Sequence, residues 1–125
     1  MVYLDNILYV ICCASSTIRL YNMDTYSPLD VVINVDGMRR PRDIVICHHD
    51  RQLYVADWYG QLATGTDTCI WRVSVDIHAY VKWLSTDSTI DTFKVCRLSL
   101  TSRHLLVTSS QPPGLRRYKT GNCKN

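Results

Sequence analysis

The side chains of this sequence that could do chemistry are four histidines, six cysteines, an arginine-rich set of cations and eleven acids, every one of them aspartate. His48 and His49 are neighbours, which suits a shared metal ion poorly, and His78 and His104 stand far from them with no H-E-x-x-H pair. Cys12, Cys13, Cys47, Cys69, Cys96 and Cys123 contain no C-x2-C zinc spacing. No G-x-S-x-G elbow and no Gly-rich phosphate loop occurs. The sequence therefore offers no catalytic residue, no cofactor-binding motif and no metal-ligand set. A more promising pattern is Arg39-Arg40-Pro41-Arg42 together with the aromatic pair Trp58-Tyr59. Arginine beside tryptophan and tyrosine is the composition of a protein-binding surface. Arg39, Arg40, Arg42, Trp58 and Tyr59 are the candidate partner-binding residues, and a protein is the expected partner. Arginines outnumber lysines ten to four, which suits phosphate contacts. However, a net charge of +3 and a pI near 8.6 fall short of a nucleic-acid footprint, so RNA is the weaker expectation.

The elements that must position these residues are strands. Val, Ile, Thr and Tyr number 40 of 125 residues, whereas Ala and Lys number four each and Glu is absent. Strong helix formers are scarce, which excludes a helical bundle, a coiled coil and a mostly helical α/β fold. The strands recur. Ile7-Leu8-Tyr9-Val10 matches Leu53-Tyr54-Val55 and then Leu105-Leu106-Val107; we term this element b. A second run, element c, follows each copy: Ile18-Arg19-Leu20-Tyr21, Ile70-Trp71-Arg72-Val73 and Leu115-Arg116-Arg117-Tyr118. Tyr9 and Tyr54 lie 45 residues apart and Tyr54 and Leu106 lie 52 apart, while the c elements show 52 and then 45. One insertion of seven residues between Trp58 and Thr68 accounts for both series. Element a, Pro41 to Ile46, aligns with Phe93 to Leu98 and is missing from the first copy; element d covers Leu29–Val35 and Ala79–Leu84.

A four-stranded repeat of about 45 residues is the pattern of a β-propeller blade. The expected fold is all-β: antiparallel four-stranded meander repeats forming part of a β-propeller. Residues 1–125 then form a single partial propeller. Blade 1 carries strands b–d over 3–35, blade 2 strands a–d over 41–84, and blade 3 strands a–c over 93–120. Element b is apolar at every position from Ile7 to Cys12, which predicts that both of its faces are covered. Alternating turns in such a meander place the b–c and d–a connections, with the arginines and Trp58, on one rim. His48 and His49 fall on the opposite rim.

Pro41-x-x-Ile44-Val45-Ile46, Leu53-Tyr54-Val55-Ala56-Asp57 and Ile70-Trp71-Arg72-Val73 together resemble an NHL-type propeller repeat. More broadly they resemble the six-bladed propellers that include YWTD-type and lactonase-like domains. The match is closest in the middle copy. The third copy has Ser109 where Asp57 stands, and Asp43 occupies the place of the usual Gly. The resemblance implies a ring of about six blades, closed by the remaining propeller blades or by self-association, with partners on one rim. Two alternatives follow from it: a fragment of a propeller hydrolase or lyase with an axial metal, to which Asp57 could contribute, and an RNA-binding NHL-type propeller. An Asp at a strand end more often fixes a turn by accepting backbone amides. No apolar run is long enough to span a bilayer, and Asp5 interrupts the N-terminal one. No membrane partner is expected. Buried free thiols and a reducing, cytoplasmic location are the expectation.

Overall fold

A computed structural model describes residues 1–58, 67–86, 93–110 and 113–123. The chain is all-β and antiparallel, as the sequence predicts. The first sheet runs in order through β1 (Val2–Leu4), β2 (Ile7–Ile11), β3 (Thr17–Asn22) and β4 (Pro28–Asn34). The second runs through β5 (Pro41–Cys47), β6 (Gln52–Trp58), β7 (Thr68–Ser74) and β8 (Tyr80–Thr86). The third contains β9 (Arg97–Leu100), β10 (His104–Ser110) and β11 (Pro113–Lys119). Each strand pairs with its sequence neighbour, so every sheet is a meander.

The repeat offsets of the sequence are those of the register. Tyr9 pairs with Leu20, Tyr54 with Arg72 and Leu106 with Arg117. Even the c–d turns repeat. Tyr26 and His78 both have positive φ (58° and 59°) and donate their amides to the carbonyls of Asn22 and Ser74 at 2.8 and 3.0 Å.

The three sheets pack face to face, with β5 lying beside both β1 and β9. Strand β6 shows how one sequence serves two cores. Side chains alternate across a strand, so Leu53 and Val55 join a cluster with Tyr9, Ile18, Leu20 and Ile33 of the first sheet. Tyr54 and Ala56 join Leu98, Leu105 and Val107 of the third. Residues Leu53 to Asp57 are therefore buried without interruption. Burying each of the aliphatic side chains contributes about 1.5–3 kcal/mol.

The structure departs from expectation at three places. First, the opening copy does have an a element. β1 pairs with β2 through a two-residue turn in which Asp5 and Asn6 have φ of 52° and 64°. That is a primed hairpin turn, which Asp and Asn tolerate in place of Gly. Second, the a element of the third copy lies further along. Leu98 pairs with Val107 as Ile44 pairs with Val55, whereas alignment by type matches Ile44 to Cys96. The connection is two residues shorter, and a shift of two keeps the apolar face inward. Third, β2 is fully buried only at Tyr9, with Leu8 and Val10 half-buried. Among the described residues no sheet lies against that face.

Candidate functional site

The connection from β4 to β5 carries Arg39 and Arg40 and is held by one acid. Asp57, fully buried at the end of β6, accepts the Arg40 amide through Oδ1 at 2.7 Å. It also takes the Arg39 amide at 3.2 Å and, through Oδ2, the indole N–H of Trp71 at 3.0 Å. Asp57 thus acts here as the turn-fixing acid. Two converging backbone amides fix where the next two side chains begin. The same arrangement recurs in the third sheet, where Ser109 Oγ accepts the amide of Lys94 at 3.3 Å.

Trp58 follows Asp57 and bridges two sheets. Its indole N–H donates to the carbonyl of Val95 at 2.8 Å, and the Val95 amide donates to Thr68 Oγ1 at 3.0 Å. Asp43 adds a third link, accepting the amide of Leu98 at 2.8 Å. The Trp58 ring is therefore held in place by the fold itself. The Arg42 guanidinium lies over it, 4.0 Å from the ring centroid, and Arg40 Nε reaches its carbonyl at 3.4 Å. A cation over an aromatic face is attracted by the ring quadrupole.

These contacts shape a cleft of about 360 Å3 lined by Cys13, Arg40, Pro41, Arg42, Cys96 and Arg97. All three sheets contribute. Cys13 follows β2, Arg40 precedes β5 with Pro41 and Arg42 opening it, and Cys96 precedes Arg97, the first residue of β9. The structure thus brings Arg40 and Arg42 together, places Arg39 exposed beside them, and uses Trp58 as their platform. Tyr59 lies outside the described residues. The sequence presents Cys13 and Cys96 only as thiols and does not place Arg97 with the arginines of the rim. With the a–b turn of the third copy set two residues shorter, Arg97 falls at the position of Asp43, next to the entry of its sheet. That is the signal that locates it.

The histidines do not assemble. His48 packs edge-on to Tyr3 with ring centroids 6.2 Å apart, and His49 Nδ1 stands 3.6 Å from Asp50. Both lie on the opposite rim, and His78 is a turn residue. Among the described residues no three His, Cys, Asp or Glu side chains are placed to hold a metal ion.

The free-thiol expectation fails for two cysteines. Cys47 and Cys123 form a disulfide across 76 residues, with Cα atoms 4.5 Å apart. It ties the segment after β11 to the end of β5. A disulfide of this kind runs against the expectation of a reducing compartment. Cys69 is a buried thiol whose pKa is pushed far up by burial and by the nearby Asp57 carboxylate. No helix among the described residues is long and apolar enough to cross a membrane.

No family pattern matches the chain, and no curated protein matches it. Among solved structures, the crystal structure of the computationally designed Ika4 protein superposes with a TM-score of 0.61 at 11% sequence identity. The match covers 95% of this chain, which spans 63% of the length of that protein. At that identity the likeness concerns the fold alone. Repeated antiparallel meanders packed face to face are the architecture of the chain.

Proposed function

We propose that this chain is a non-catalytic interaction module, part of an NHL-like, six-bladed β-propeller, that binds a protein partner on the rim bearing Arg39, Arg40 and Arg42. The observation that carries this reading is the stack of Arg42 on Trp58 at 4.0 Å, beside Arg40. Long arginine side chains lose rotamer freedom on binding, and prior fixation lowers that cost. Arginine and tryptophan in such a setting are typical anchors of protein interfaces. Propeller closure supplies the cover for the half-buried Leu8 and Val10 on one outer face and the exposed Leu115 on the other. That cover comes from further blades or from a second copy of this chain.

The test is a paired affinity isolation after nuclease treatment, with wild type and Arg42→Glu. The reading expects proteins retained by wild type and lost from the variant. Identical protein sets from both, with both chains folded, would remove it.

A further inference from the structure

The first two sheets each cover the outer edge of their third strand with a fourth, β4 on β3 and β8 on β7. β11 holds the matching place in the third sheet, since Arg117 pairs with Leu106 as Arg72 pairs with Tyr54. Among the described residues β11 pairs only with β10, so its other edge has no ladder partner among them. The path of the chain after β11 accounts for this. An amide just past each third strand donates to the turn before the second: Met23 to Asn6, Val75 to Arg51 and Thr120 to Arg103, at 3.0, 3.0 and 2.8 Å. Three residues further on, Tyr26 and His78 donate back to Asn22 and Ser74, and the chain turns into β4 and β8. Cys123, at the same offset, donates instead to the Ser102 carbonyl at 2.7 Å and is bonded to Cys47 of the second sheet. The turn that would carry the chain onto the β11 edge is therefore not made.

We infer that the outer edge of β11 is a strand-docking site whose occupant is an extended acidic segment of a partner protein. This goes beyond the arginine-rim reading and uses none of its residues. Main-chain hydrogen bonds would hold the added strand, as in other strand-addition complexes, and side chains would select it. Arg117 and Lys119 are exposed and alternate along β11, so they share one face. Arg117 stands four residues from Pro113, about 13 Å along the strand, on the half of β11 remote from the arginine rim. An incoming antiparallel strand places one residue directly across from Arg117, as Val81 stands across from Arg72. Opposite charges so placed attract and like charges repel. A second copy of β11 centred on this edge would set Arg116 and Arg117 against the same two arginines, so charge selects against self-pairing. Charged side chains also keep apolar strands off a bare edge. The same cations admit an acidic one.

The experiment titrates the 125-residue chain, its disulfide intact, with three short peptides. One alternates aspartate with valine, one alternates lysine with valine, and the third is the aspartate peptide with alternate backbone nitrogens methylated. Amide resonances locate binding, and hydrogen exchange reports the ladder. The inference expects saturable binding of the aspartate peptide with slowed exchange at alternate β11 amides, weaker binding of the lysine peptide, and none of the methylated one. Arg117→Glu should weaken the aspartate peptide by about tenfold and strengthen the lysine peptide. Arg39→Gln, on the rim, should match wild type. No saturable binding, protection at β4 or β8 in place of β11, equal binding of the methylated peptide, or equal loss in Arg39→Gln overturns the inference. Dimers of the chain alone with protected β11 amides would give the edge to a second copy and overturn the acidic occupant.

Discussion

Ser109 stands in the third sheet where Asp57 stands in the second, and each accepts the amide of the residue that leads into its own sheet, Lys94 and Arg40. The repeat therefore conserves a job rather than a side chain. The two positions differ in how much rests on them. Asp57 is fully buried and takes three N–H donors and the Cys69 thiol, while Ser109 accepts the Lys94 amide at the longer distance of 3.3 Å. Removing an acceptor from a buried donor costs about 1–3 kcal/mol, more where the acceptor is charged. Asp57→Ala should therefore destabilise the chain by about 3 kcal/mol or more, and Ser109→Ala by about 1 kcal/mol. Urea unfolding followed by tryptophan fluorescence measures both. Equal costs would mean that Asp57 does not anchor the connection.

Trp58 joins the second and third sheets through its indole N–H. Trp58→Phe keeps an aromatic ring under Arg42 and deletes the bond to the Val95 carbonyl. It should cost about 1–2 kcal/mol by leaving that carbonyl without its partner. Val95 and Leu98 should show faster amide exchange in the variant, while the amides of the first sheet stay unchanged. Faster exchange across all three sheets would contradict a local link.

The thiols should differ sharply in reactivity. Thiolates, not thiols, attack alkylating agents. Cys13 is exposed and should be labelled first, whereas the buried Cys69, its pKa pushed far up by burial and Asp57, should resist until the chain unfolds. Cys47 and Cys123 should label only after reduction. Opening their bridge frees a loop of 76 residues and should lower stability by about 4 kcal/mol on a loop-entropy basis. Mass spectrometry of the native chain, before and after reduction, checks each assignment.

Burial raises the pKa values of Tyr9 and Tyr54 above the ordinary phenol value of about 10. Their protonated forms are favoured in the folded state, so their contribution to stability is complete below about pH 10. It is lost as pH rises through the folded-state values. The buried Cys69 thiol, raised in the same way, begins to lose its contribution from its ordinary value of about 8.5, so unfolding midpoints should hold at neutral pH, start to fall near pH 9 and fall more steeply above about 10. Tyr54→Phe should fall less steeply in that window; a steeper fall would contradict burial as the cause.

Much of this architecture is legible in the residues because hydrophobic pairs recur at offsets of 45 and 52, and strand register follows those offsets. What stayed hidden has physical reasons. β1 is three residues long and turns on Asp5-Asn6, a pair that reads as a break in an apolar run until its positive φ values are seen. The third a element moved by two residues because a turn shortened, and residue type alone does not fix turn length. That same shift hid Arg97, whose meeting with Arg40 and Arg42 depends on the second and third sheets converging. The Cys47–Cys123 pairing was one of many that six cysteines permit.

The most direct test of the arginine rim as the binding face is site-specific photo-crosslinking. A photoreactive phenylalanine analogue is placed in turn at Arg39 on the rim, His49 on the opposite rim and Leu115 on the outer face of the third sheet, each in cell extract. The account predicts protein cross-links from Arg39 that vanish when Arg42→Glu is added, and none that depend on Arg42 from His49 or Leu115. Cross-links to partner proteins from His49 with none from Arg39 would contradict it.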